Sequence, residues 1–299
     1  MQGLLLLNKP QGKTSYGAVS AVKKISGEKR VGHTGTLDPM ATGVLPVLLG
    51  RATALASSML DSDKKYTAGV KLGITTDTED ITGEVISKME VDITPEKICS
   101  VLSDFVGIQM QRPPMYSALK RAGVPLYKLA REGKSVEIPE REINVISLNV
   151  VDINPDCDEF SFDACVSKGT YIRSLVRDIG EELGCGAVLS SLCRTSAAGF
   201  DITRCVSLDD LNAENIADYL MNEEEAVKHL RSVNVTEKQA VRFCNGGQLS
   251  FERTNISVPK SGELIRIKCG GLFLGIGFCD TENQHIGIKC IINYPKVRE

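Results

Sequence analysis

The longest unbroken apolar run in this 299-residue chain is four residues, Leu4 to Leu7. A membrane-spanning helix needs about 20 such residues, and the core of a signal peptide needs at least ~7. The chain must therefore build its core from short strands and amphipathic helices. With 42% hydrophobic and 24% charged residues it has the balance of an ordinary globular protein. Its length points to about two domains. The ten cysteines lie no closer than eight residues apart, so no CxxC pair exists, and only three histidines accompany them. That spacing argues against a zinc site. Scattered thiols suit a reducing compartment. The expectation is a soluble, cytoplasmic protein without metal, cofactor or membrane partner.

The order of pattern changes gives an outline of the fold. Leu4 to Leu7 reads as a buried strand, followed by the turn Asn8-Lys9-Pro10-Gln11-Gly12 and a helix capped by Thr14 or Ser15 that runs to about Ser26. A glycine-rich loop, Val31 to Gly43, leads into the strand Val44 to Leu49. Strands are predicted over Lys64 to Gly73, Val145 to Val151 and Glu159 to Val166, with an amphipathic helix over Thr170 to Leu183. Thr94-Pro95 marks another helix start. Helical patterning is predicted from Leu211 to Leu230. Beyond Arg231, glycines punctuate short β-rich runs such as Leu264 to Lys268, the texture of a small closed β-module. This divides the chain at 1–230 and 231–299. The first part is expected to be α/β.

Net charge is −3, which argues against bulk polyanion binding, yet the charges are segregated. Lys9 to Arg30 holds six basic residues and one acid, and Arg112 to Arg141 holds seven against three. Asp77 to Glu96 and Asp209 to Glu225 each hold seven acids. Such blocks permit a positive face for nucleic acid but also fit ordinary solvated helices.

Gly12-Lys13-Thr14 between a strand and a helix superficially matches a P-loop. The full pattern needs glycine at position 7, where Leu7 stands, and Pro10 removes a backbone donor. Nucleotide hydrolysis is the wrong reading of this turn. A different loop is more informative. Across Val31 to Gly50, Asp38 is the only formally charged residue. A lone carboxylate in such surroundings needs solvent or a cationic partner. No second carboxylate is near enough in sequence for a glycosidase-type pair. Asp38 is left as nucleophile, base, or Asx-turn residue before Pro39.

Longer motifs narrow these alternatives. Asn8-Lys9-Pro10-x-Gly12-x-Thr14-Ser15 is followed by Arg30-Val31-Gly32-His33-Thr34-Gly35-Thr36-Leu37-Asp38-Pro39-x-Ala41-Thr42-Gly43-Val44-Leu45-Pro46. Then come Lys65-Tyr66, Thr76-Asp77-Thr78-x-Asp80-x-x-Gly83, Arg112-Pro113-Pro114-x-Tyr116-Ser117-Ala118, Ser167-Lys168-Gly169-Thr170-Tyr171-Ile172-Arg173-Ser174-Leu175 and Leu192-x-Arg194-Thr195. In this order, over most of residues 1–200, they closely resemble the TruB family of tRNA pseudouridine synthases, in its stand-alone bacterial form. The resemblance implies a mixed, mostly antiparallel sheet flanked by helices, with a small C-terminal PUA-like β-barrel. It also implies isomerisation of the T-loop uridine at tRNA position 55: the N1–C1′ bond breaks, the uracil rotates, and it rejoins through C5 without metal or cofactor.

Residue by residue, the resemblance makes Asp38 the catalytic aspartate, attacking C1′ or C6 or acting by elimination. Arg173 becomes its cationic partner, Tyr66 the ring beneath the flipped uracil, and His33 the residue that stacks where the base left. Leu192 becomes an apolar wall. Lys9, Lys13, Lys168 and Arg194 become phosphate or pocket contacts. The C-terminal module, with basic residues from Arg231 to Arg298, would meet the acceptor side of tRNA. The protein would act as a monomer without an obligate protein partner. Two other readings fit the same motifs: a tRNA-folding chaperone without catalysis, and a guide-RNA-dependent modification subunit.

Overall fold

Leu4 to Leu7 can be apolar at every position because the strand that carries them is covered on both faces. Leu5 and Leu7 pack with Ala18, Val19 and Val22 of the first helix, while Leu4 and Leu6 face Ala52, Leu55, Phe273 and Ile292. A strand buried on both sides reads as a continuous apolar run rather than an alternation. These details come from a computed structural model, which describes residues 1–59, 62–121, 123–134, 136–254, 256–257 and 259–295.

In chain order the first half contains β1 (Gly3–Lys9), α1 (Ser15–Ser26), β2 (Val31–His33), β3 (Thr42–Leu49), α2 (Ala56–Met59) and β4 (Lys64–Leu72). A hairpin of β5 (Ile74–Thr76) and β6 (Val85–Lys88), α3 (Pro95–Asp104) and β7 (Gly107–Gln111) follow. The basic stretch forms a small hairpin, β8 (Lys120–Arg121) and β9 (Val124–Pro125), then α4 (Leu126–Arg131). Next are β10 (Arg141–Ile153), β11 (Glu159–Val166), α5 (Ile172–Leu183), β12 (Ala187–Ala197), β13 (Phe200–Asp201) and β14 (Val206–Ser207).

Among the described residues the central sheet has ten strands, in the order β14-β1-β3-β12-β4-β11-β10-β7, with β2 added on β3 and β13 on β12. Two pairings are parallel, β1 with β14 and β3 with β12, and the rest are antiparallel. This is the mixed, mostly antiparallel α/β architecture expected. The parallel β3–β12 contact is only two residue pairs long, Cys193 to Thr42 and Arg194 to Gly43. It joins the two halves of the sheet, and the Asp38 loop enters β3 there. Helix α5 presses on β12 closely because residue 180 is glycine; a Cβ there would stand 2.3 Å from the Ala187 nitrogen.

The helical expectation for Leu211 to Leu230 is corrected, while the C-terminal PUA-like β-barrel expectation is met by a curled half-barrel sheet. Leu211 to Leu230 forms turns and the 3₁₀ segment Glu223–Val227 instead of α-helix. Asn212 accepts hydrogen bonds from the nitrogens of Glu214 and Asn215, and Asn222 accepts one from Glu224. Such local side-chain bonds compete with helix propagation. The C-terminal module starts at β15 (Ser232–Asn234) and continues through α6 (Glu237–Cys244), β16 (Leu249–Ser250), α7 (Phe251–Thr254), β17 (Leu264–Cys269), β18 (Leu272–Asp280) and β19 (His285–Ile291). Its strand order, β15-β17-β18-β19-β16, is an open path, so the sheet curls without closing strand to strand. Ala240, Phe243 and Cys244 of α6 fill the interior with Ile265, Ile267 and Leu274.

The module also accounts for part of the charge segregation. Glu224, from the acidic run, pairs with Arg266 at 2.6 Å and Lys268 at 2.9 Å. Arg231 is held by Glu263 at 2.6 and 2.9 Å. These three basic groups are engaged within the chain. Lys296 and Arg298 lie outside the described residues.

Candidate active site

The loop before β3 is pinned from two sides. Ser15, at the start of α1, accepts a hydrogen bond from the Leu37 nitrogen at 2.8 Å and donates to the Leu37 carbonyl at 3.0 Å. The Gly12 nitrogen donates to the Pro39 carbonyl at 2.8 Å, and the Ala41 nitrogen donates to the Asp38 carbonyl at 3.1 Å. Gly43 ends the loop at φ +104°, where an added Cβ would lie 2.2 Å from the Arg194 carbonyl oxygen. Only glycine allows both that dihedral and that approach. The supports fix the backbone around Asp38 before any substrate arrives.

Asp38 meets Arg173 across 135 positions of sequence. Nη2 of Arg173 donates to Oδ1 at 3.2 Å, and Nε lies 2.8 Å from Oδ2 as an ion pair, its N–H pointing off the oxygen. The contact is one hydrogen bond plus one ionic approach, not two parallel bonds. Arg173 is 4% exposed; its Nη1 also donates to the carbonyl of Thr78 at 2.9 Å and its Nη2 to that of Tyr116 at 2.8 Å. A fork of fixed donors suits such a site, whereas an ammonium cannot satisfy all these acceptors. The Asp38 side chain keeps 33% exposure and opens into the cleft. Burial is the largest influence on its carboxyl and pushes the pKa above the usual 3.8; Arg173 pulls it down, and Asp80 pushes it up again.

Asp38, Tyr66, Arg173, His33, Leu192, Lys168 and Arg194 all line one cleft of about 1010 Å³. Tyr66, on β4 opposite Arg194 and Ala164, is 7% exposed with its ring in the wall. The strand alternates so that Tyr66, Ala68, Val70 and Leu72 point to the buried side. Burial, and then the Arg194 charge, lower the His33 pKa, which favours neutral imidazole. Arg194 is 1% exposed and donates to the carbonyls of Val44 at 2.8 Å and Gly35 at 3.1 Å, so it braces the loop as well as lining the cleft.

Lys9 is placed differently from expectation. Lys9 is fully buried, and its ammonium donates to the carbonyls of Pro10 at 2.8 Å, Lys13 at 2.5 Å and Pro39 at 3.4 Å. It has no surface for a phosphate. Burial lowers its pKa to about 8. Its three acceptors make it a brace under the Asp38 loop. Lys13 is exposed on the same turn but outside the lining of the cleft.

Sequence reasoning did not single out Asp80, Glu79 or Tyr116, although all stand in or beside quoted motifs. Asp80 is buried, 5% exposed, and accepts from the Thr78 hydroxyl at 2.9 Å and from Thr82 at 2.9 Å (nitrogen) and 2.5 Å (hydroxyl). The threonines around it were the available signal. Among the described residues no group of three or more histidines, cysteines and acids could hold a metal ion, and no helix is long and apolar enough to cross a membrane.

Comparison with known proteins matches residues 23–172 to the N-terminal domain of the TruB family of pseudouridylate synthases and residues 173–235 to a tRNA pseudouridylate synthase B C-terminal domain. The chain belongs to the TruB family. It is 43% identical to a tRNA pseudouridine synthase B of Azoarcus sp. over 93% of this chain and 91% of the relative. It is 42% identical to one from Alkaliphilus oremlandii over 95% of each. Among solved structures, an H/ACA RNP bound to a substrate RNA containing 2′-deoxyuridine aligns over 99% of this chain and 88% of that chain, with TM-score 0.75 and 26% identity. As a TruB-family member, the chain is a pseudouridine synthase, an isomerase.

Proposed function

We propose that the protein converts the T-loop uridine of tRNA, position 55, to pseudouridine, with Asp38 as the reacting carboxylate. The observation that carries this reading is the Asp38–Arg173 pair at the mouth of a cleft that also holds the Tyr66 ring. Arg173 offsets the cost of an ionised carboxylate in a partly buried site and fixes its direction. Tyr66 gives an everted uracil a face to stack on, worth roughly 1–3 kcal/mol per base. His33, kept neutral, is suited to fill the gap left by the extruded base, which offsets part of the unstacking. Leu192 closes the apolar side, and Lys168 stands at the rim for backbone phosphate.

The isomerisation conserves every atom of the nucleoside and its oxidation state, so its chemistry calls for no redox partner. Asp38 attack on C1′, attack on C6, and elimination all begin from the same ionised carboxylate beside the same base. Two further parts of the reading are that residues 231–299 bind the acceptor side of tRNA and that the protein works in the cytoplasm as a monomer. Support for the tRNA substrate comes from relatives called tRNA pseudouridine synthase B that align over more than nine-tenths of their length.

The solved relative within an H/ACA RNP favours a second reading, a subunit directed by guide RNA. Purified protein incubated with an unmodified T-arm stem-loop decides between them. Pseudouridine at the T-loop position, formed without guide RNA or added protein, is expected. Inactivity on that stem-loop, with activity restored by a guide-containing assembly, would overturn the stand-alone reading.

A further inference from the structure

The turn between β5 and β6 carries two groups that bear on the reacting carboxylate, the Thr78 carbonyl that anchors Arg173 and the Asp80 side chain. Between them stands Glu79, which has a left-handed φ of 63° and is not glycine. Its backbone is tied to β12: Leu189 nitrogen donates to the Glu79 carbonyl at 3.2 Å, and Ile81 nitrogen donates to the Leu189 carbonyl at 2.9 Å. Its side chain reaches the other way, to α5. Oε2 accepts from the Ser174 hydroxyl at 2.8 Å, and Oε1 is paired with Nη1 of Arg177. Arg177 is itself oriented by Asp178, which accepts from Nε at 2.9 Å and Nη2 at 2.7 Å, and by the Arg112 carbonyl at 3.2 Å.

We propose that Glu79 is a positioning residue for the isomerisation: by gripping Ser174 and Arg177 it locks the Thr78 carbonyl against Arg173 and so sets the guanidinium that holds Asp38. The inference rests on the assigned pseudouridine synthase reaction. The connection is short. Ser174 and Arg177 sit one and four residues beyond Arg173 on the same helix, and Thr78 immediately precedes Glu79. The clamp therefore fixes both the helix that carries Arg173 and the acceptor that Arg173 meets. A carboxylate shared by a buried hydroxyl and a guanidinium in a partly dry site couples more strongly than an exposed ion pair. Glu79 itself lies outside the lining of the cleft and touches no reacting atom.

The test uses the full-length protein and a T-arm stem-loop, with kcat, KM and thermal midpoint read for each variant. Glu79→Ala is expected to lower kcat by about tenfold while KM moves less than ~3-fold, the mark of an interaction used in the transition state. Glu79→Gln keeps an acceptor for Ser174 but loses the charge facing Arg177, and is expected to recover part of that loss. A double-mutant cycle of Glu79→Gln with Arg177→Gln should be non-additive in kcat, because either change breaks the same pair. Wild-type kcat in the singles, or additive effects in the cycle, would overturn the proposal, even with lowered thermal midpoints. Should Glu79→Ala fail to fold, the two Gln variants decide alone. An inactive wild-type protein would refute the functional assignment instead, so the two failures are separable.

Discussion

Arg173→Lys tests whether the active carboxylate depends on the shape of its partner or merely on the charge. Wild-type Arg173 donates to three acceptors at 2.8–3.2 Å, Oδ1 of Asp38 and the carbonyls of Thr78 and Tyr116, and its Nε lies 2.8 Å from Oδ2 as an ion pair. A lysine ammonium is shorter in reach and cannot span the Asp38 side and the two carbonyls together. Two partly buried carbonyls then lose a partner at about 1 kcal/mol each, which places the expected loss of folding stability at roughly 2 kcal/mol. Breaking a fully buried ion pair costs about 3–5 kcal/mol, but Asp38 is one-third exposed and the charge is retained, so about 2 kcal/mol is the expected loss at the reacting carboxylate. That converts to a kcat roughly 30-fold below wild type. Release of tritium from C5 of the target uridine in a T-arm stem-loop measures kcat, fluorescence anisotropy measures RNA affinity, and denaturant unfolding measures stability. A kcat within about twofold of wild type, in a folded variant, would refute the argument from the guanidinium fork.

Three further outcomes follow from the same geometry. Because the Asp38 pKa is raised, the ionised form is lost as pH falls through a value above 3.8; activity should decline on the acid side earlier than for an ordinary aspartate, and earlier still in Arg173→Lys. A pH–rate profile that stays level down to 3.8 would contradict this. Tyr66→Ala should reduce kcat/KM by about 5–150-fold, the equivalent of one lost base stack, whereas Tyr66→Phe should lose only what the hydroxyl supplies. Equal losses in the two variants would move the main contribution of Tyr66 from its ring to its hydroxyl. Gly43→Ala should cost well over ~2 kcal/mol, since the backbone dihedral and the approach of Arg194 both exclude a Cβ; an unchanged melting midpoint would be incompatible with that packing.

Much of the fold was legible because local chemistry and tertiary context agree. Thr14 caps α1, accepting from the Gly17 nitrogen at 2.9 Å, and Thr94-Pro95 opens α3 as its composition suggests. The stretch from Leu211 to Leu230 misled because its apolar spacing is helical, while Asn212 and Asn222 hold the backbone in turns. The C-terminal glycine and β-texture marked a small β-module but gave no sign that α6 would pack into its core. In the site, the resemblance supplied the residues of the cleft, but the structure was needed to see how they are held. Lys9 is the clearest case: a lysine in a basic stretch is normally solvated, and only the convergence of three carbonyls explains its burial. The Glu79 clamp was hidden for a related reason. Its partners lie about a hundred residues away, and no local periodicity encodes that meeting.

The most direct measurement is pseudouridine formation on an unmodified T-arm stem-loop by wild-type protein and by Asp38→Asn, a change of nearly equal size that removes the ionisable oxygen. Wild type should convert the T-loop uridine, while Asp38→Asn should bind the stem-loop with similar affinity and form no product. Pseudouridine from the Asn variant at a rate near wild type would contradict the assignment of Asp38 as the reacting carboxylate.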